Sequence, residues 1–135
     1  MRFRNKIDNI KFKMQKVQRG YSDVDVWNLH SWFLDTIVPM LKQLKETHIG
    51  YPCGMTSEEW EQILDKMIFC FIEANEKTCS QKNEYQLEFD DMFNCENKDI
   101  LNDYTNREIE IDKYMKKNLD EGLDLFKQYF YDLWD

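Results

Sequence analysis

Glu108 and Asp112 lie one helical turn apart, and a helical reading places both carboxylates within the arc of Tyr104, Ile111, Met115 and Phe126. Carboxylates turned into a helical bundle can hold Mg²⁺ between facing helices. Glu58-x-x-Glu61 and Glu121-x-x-Asp124 add acids at similar spacing. Against this, Glu58 and Glu59 stand where a helix begins, and Glu61 and Asp65 turn away from that helix's apolar stripe. A chain of 135 residues with 26 acids also generates such spacings by chance. Glu108 and Asp112 are therefore weak metal candidates, and no metal or cofactor site is assigned. Cys53, Cys70, Cys79 and Cys95 show no C-x-x-C spacing, and His30 and His48 are the only histidines, which argues against zinc and for free thiols. No Ser/His/Asp or Cys/His set and no Gly-rich phosphate loop can be assembled, so no catalytic residue is assigned.

A different chemistry is written in "RGYSDVDVWNLHSWFLDTIVPMLKQLKE", residues 19–46. At about 100° per residue, Trp27, His30, Leu34, Ile37, Leu41 and Leu44 share one face of a helix. Asp25, Asn28, Ser31, Asp35 and Lys42 share the opposite face, and Trp32 sits among them. An indole flanked by acids and an amide can stack on a base or a cation while its neighbours accept hydrogen bonds. Trp32, Asp25, Asn28 and Asp35 are the candidate binding residues. The alternative is that Trp32 packs beside a basic N-terminal helix, with Asp25 and Asp35 pairing its Lys and Arg. His30, on the apolar face, reads as a core histidine.

The elements that would position these residues are helical. Phe3, Ile7, Ile10, Met14 and Val17 recur at 4-3-4-3 spacing, the stripe of an amphipathic helix that Gly20 ends. Ser22 with Asp25 starts a second helix running to about Thr47, with Pro39 expected to kink or break it. "TSEE" caps a third, striped by Trp60, Leu64, Met67, Phe71 and Ala74. Residues 79–98 read as a short helix or irregular segment, Tyr85, Leu87, Phe89, Met92 and Phe93 fitting no single period. From about Asp99 to Leu133 the pattern is helical again, with Gly122 allowing a close helix approach within the chain or across the two-fold axis of a homodimer. The expected fold is all-α, a single bundle of four or five helices in one domain, 1–135.

Charge divides the chain unevenly. Residues 1–19 carry seven basic side chains against Asp8 alone, while residues 20–135 carry 11 basic and 25 acidic groups, giving −8 in all. The basic helix is expected to dock on, or project from, this acidic body, its stripe buried against the acidic face of the second helix. The acidic remainder argues against binding nucleic acid, although it leaves open an acidic nucleic-acid mimic. No apolar run reaches the roughly 18 residues of a membrane span, and the N-terminus lacks the apolar core of a signal peptide, so a cytoplasmic protein is expected.

Two resemblances follow from these motifs. The acidic spacings resemble those of all-α nucleoside-triphosphate pyrophosphohydrolases of the MazG type, which implies Mg²⁺-dependent nucleotide hydrolysis as an alternative. Arg19-Gly20-Tyr21, Trp27-x-Leu29, the Ile37-to-Leu41 segment around Pro39, Glu58-Glu59-Trp60 and Leu133-Trp134-Asp135 together resemble a family of small helical proteins carried by phages and prophages. That likeness spans most of the chain except residues 79–107. It implies an accessory protein of the infected bacterial cytoplasm that acts by binding: it would block or sequester a host protein, such as an antiviral defence factor, or a small nucleotide signal.

Overall fold

A computed structural model describes residues 2–85 and 98–135, with side chains from residue 5 onward. The fold is all-α. Among the described residues there are five α-helices, a closing 3-10 turn and no strand. Two compact units divide at Ile37/Val38. No described helix is long and apolar enough to cross a membrane.

In the first unit, α1 (Arg2–Arg19) ends where Gly20 takes a φ of 84°, a left-handed conformation that glycine adopts without penalty. Ser22 caps α2 (Asp23–Trp27): the Asp25 carboxylate accepts from the Ser22 N–H at 2.9 Å, and the Ser22 hydroxyl accepts from the Asp25 N–H. The helix predicted to run from Ser22 to about Thr47, with its interruption at Pro39, stops instead at Asn28, whose backbone (φ −127°, ψ 52°) leaves the helical region. Asparagine is a poor helix-interior residue because its amide competes for nearby backbone groups. A new helix, α3 (Leu29–Thr47), starts with the Trp32 N–H bonded to the Asn28 carbonyl, and it continues through Pro39. Proline removes one ladder donor there without ending the helix.

The packing of α1 corrects the sequence reading. Its stripe is not buried: Ile7, Ile10, Met14 and Val17 are 55–88 % exposed. The opposite side of the helix faces α2, with the Phe12 ring edge-on to Trp27 at 5.8 Å. Polar pairing chose that side. The Gln15 amide donates to the Asp23 carboxylate and accepts from the Asp23 N–H, both at 2.9 Å. Arg19 and Lys11 add charge to the same carboxylate, and Lys16 lies 3.7 Å from Asp25. His30 is another correction: it is exposed in the first turn of α3, not buried.

The second unit is built on α4 (Ser57–Ala74) and α5 (Lys98–Gln128). Thr56 and Glu59 form the predicted capping box at the start of α4. Trp60, Leu64, Met67 and Phe71 are all buried, as their spacing required. Trp60 meets Tyr129, Phe71 meets Phe126 and Glu73 meets Tyr114, so the two helices run antiparallel. Between them Gly122 is buried, and a Cβ placed on it would stand 3.0 Å from both Cys70 Cβ and Phe71 Cε1. The close helix approach is thus made within the chain. The last turn of α3 is tied to α4 by Lys45–Asp65 at 2.7 Å, and the connector by His48, whose ring nitrogens meet the Gly50 carbonyl and Glu61. Residues 79–85 are irregular, and the ambiguous Leu87, Phe89, Met92 and Phe93 lie outside the described residues.

Gly122→Ala sets about 1 kcal/mol of gained helix propensity against overpacking that costs roughly 1–3 kcal/mol. Cys70 Cβ is anchored to its backbone and cannot swing aside, so overpacking should win. Urea melts should show net destabilisation, whereas Gly50→Ala, with nothing within 4 Å, should be close to neutral.

Candidate functional site

The first unit carries the groove that contains Trp32. It encloses about 450 Å³ and is lined by Arg19, Gly20, Tyr21, Asp25, Val26, Leu29 and Trp32. Its shape follows from two breaks in the helical backbone: Gly20 turns the chain out of α1, and Asn28 separates α2 from α3. Trp32 is 37 % exposed and Tyr21 44 %, so both present ring surface to a ligand. The Arg19 guanidinium lies 4.6 Å from the centre of the Tyr21 ring and donates to the Tyr21 carbonyl. Asp25 supplies negative charge at the wall. The Ser22 N–H holds its carboxyl below the usual range against the opposing pull of burial, helped by the Ser22 hydroxyl and Lys16. The Asp23 carboxyl, just outside the lining, is lowered chiefly by Gln15 and then by Arg19.

Of the four predicted binding residues, the groove brings Trp32 and Asp25 together. Asn28 and Asp35 do not line it. Asn28 is spent on the junction between helices, and Asp35, one turn beyond Trp32, is exposed outside the groove. Tyr21, Val26, Leu29 and Arg19 were not singled out as binding residues. The signal for them was the Arg-Gly-Tyr turn, since a left-handed glycine beside a capped helix start folds its neighbours back over the following helix.

The acidic candidates disperse. Glu108 accepts from the Asn83 amide at 2.8 Å, which with Arg107 bonding to Gln81 and Glu84 ties residues 81–84 to α5. Asp112 is exposed, contrary to the inward placement predicted for it, because it follows Ile111, which takes the buried position in that turn. Glu61 and Asp65 are engaged by His48 and Lys45. Among the described residues no group of three His, Cys, Asp or Glu side chains could hold a metal ion. Cys53, Cys70 and Cys79 are free thiols; burial, and Glu121 after it, push the Cys70 thiol up and away from reactivity.

One buried acid was missed altogether. Glu73 is 5 % exposed and one of its oxygens accepts from the Ser80 N–H at 2.9 Å, the Ser80 hydroxyl at 2.7 Å and the Tyr114 hydroxyl at 3.0 Å. These donors outweigh the upward push of burial and lower its pKa. It serves as the knot joining α4, the turn at Ser80 and α5. Its sequence neighbourhood, "FIEANEKTCS", shows only an acid near a helix end.

Comparison of the chain with protein-family models, curated proteins and solved structures finds no match.

Glu73 gives a pH prediction of definite sign. Its folded-state pKa lies below the ordinary 4.5, so its stabilisation is complete above that pH and is lost as the pH falls through the folded-state value. Glu73→Gln should cost about 2 kcal/mol near pH 7, and the gap should narrow as the pH falls below the ordinary carboxylate range and through the folded-state value, where the native side chain becomes neutral too. Urea melts of both proteins across that range check it; a gap independent of pH would contradict it.

Proposed function

We propose that the chain is a non-enzymatic binding protein, an accessory factor of the phage type that blocks or sequesters a component of the host bacterium in its cytoplasm. The leading targets are an antiviral defence factor or its nucleotide signal. One observation carries the reading: Tyr21, Val26, Leu29 and Trp32, all exposed, converge on one groove. Exposed apolar side chains gathered around a concavity mark contact surfaces. The charged groups at its edge support binding over catalysis, because each is already committed. Asp25 is held by Ser22 and Lys16, and Arg19 by Asp23 and Tyr21. A planar group, either a nucleobase or an aromatic side chain, suits the Trp32 and Tyr21 rings.

The test compares the wild-type chain with Trp32→Ala. Each is used to capture components from bacterial lysate, with mass spectrometry of retained proteins and nucleotides. The wild type should retain a component whose recovery falls about tenfold or more with Trp32→Ala, corresponding to about 1.4 kcal/mol of binding. Trp32 is 37 % exposed, so the variant also loses packing and should melt somewhat lower; the capture is run at a temperature at which circular dichroism shows both proteins folded. Nucleotide hydrolysis with Mg²⁺ in the absence of any retained component would overturn the proposal.

A further inference from the structure

The outward face of α1 has a regularity that the groove does not use. Its exposed residues Ile7, Ile10, Met14 and Val17 keep strict 3-4 spacing, which places Ile7 and Met14 at heptad position a and Ile10 and Val17 at d. A stripe confined to a and d is narrower than the apolar face of a helix lying on a core, and it is the seam that a second helix covers. The rear of α1 is already occupied: Phe12 meets Trp27, and Gln15 and Arg19 meet Asp23. The seam is therefore presented by a helix that its own unit holds in place, and a shallow apolar groove of about 270 Å³ runs along it between Ile10 and Gln18.

The flanks of the seam identify the occupant. Among the described side chains, positions e and g hold Lys6, Lys11, Lys13 and Gln18, and no acid; Lys11 lies 4.0 Å from Asp23, which leaves Lys6 and Lys13 at g as the cations that face a partner. In coiled coils these positions choose the partner. A second copy of α1 would set cation against cation in either orientation, because parallel pairing apposes g with e, and antiparallel pairing apposes g with g and e with e. A lipid surface calls for a broader apolar face than this one, commonly with Trp, Phe or Leu. We propose that the outward face of α1 is a heptad seam that pairs with a helix of a partner protein carrying apolar a and d positions and Glu or Asp at its e and g positions. The surface is separate from the Trp32 groove, and the inference stands whatever the groove binds.

The experiment titrates the full chain against two synthetic helices of about 21 residues with identical Ile/Leu seams, one with Glu and one with Lys at every e and g position, followed by anisotropy of a dye on the peptide. The Glu peptide should bind about tenfold or more tighter than the Lys peptide at low salt, and the difference should shrink at about 0.5 M NaCl. Ile10→Gln and Met14→Gln add no charge and should each weaken the Glu peptide several-fold with unchanged melting, whereas Trp32→Ala should leave it alone. Equal binding of both peptides, or Glu-peptide binding indifferent to the two seam variants, would overturn the proposal. So would sedimentation of the chain with phosphatidylglycerol vesicles without peptide binding, or a dimer of the chain that the seam variants dissolve.

Discussion

Asp23 decides which side of α1 is available to the outside. It occupies the first position of α2, where the N–H has no intrahelical partner, and Gln15 reaches across to take that N–H while donating to the carboxylate. Arg19 completes the arrangement one turn later along α1. Three polar side chains thereby orient the helix, and the four apolar residues of its stripe follow. An apolar stripe gains free energy from any cover, but a helix N–H or a carboxylate is satisfied only by a partner at the right distance and angle. Where the two compete over a short turn such as Gly20–Ser22, the directional groups set the rotation and the apolar face goes where geometry leaves it.

The second unit rests on a different constraint. Gly122 lets α5 approach α4 until the Cys70 and Phe71 side chains fill the space a Cβ would need, and both are sealed from water. Glu73 then binds the segment after α4 to both helices with donors converging on one oxygen. A charge placed there is stabilising only while its donors remain in place, so that end of the helix pair should open as a unit or not at all. Such a rigid pair contrasts with the first unit, whose apolar residues are largely on the surface.

Much of this was legible in the sequence, and the failures share a cause. The helices, both capping boxes and the buried stripe of α4 follow from local periodicity and cap chemistry, which a single sequence contains. Trp32 and Asp25, which line one groove, stood out because an indole among acids is conspicuous on a helical projection. The projection failed at Asn28, where a continuous helix was assumed, so Asn28 and Asp35 were grouped with a groove they do not line. The burial of α1 was misjudged for a related reason: net charge shows that a basic helix seeks acids but not which of its faces carries the pairing residues. Glu73 escaped notice because its donors come from positions 80 and 114, and nothing local to residue 73 announces them.

The account depends on α1 presenting its heptad seam outward with Phe12 turned inward, and thiol reactivity measures this directly. In a Cys53→Ser, Cys95→Ser background, which removes the thiol that is exposed among the described residues and the one that lies outside them, cysteines placed singly at Met14 and Phe12 would be timed with a maleimide under native conditions. The account predicts that the thiol at position 14 reacts as an open surface group and the one at position 12 about tenfold or more slowly, as local opening limits its access. A protected thiol at 14 with a freely reactive one at 12 would contradict it, and with it the claim that the outer face of α1 is a surface for partners.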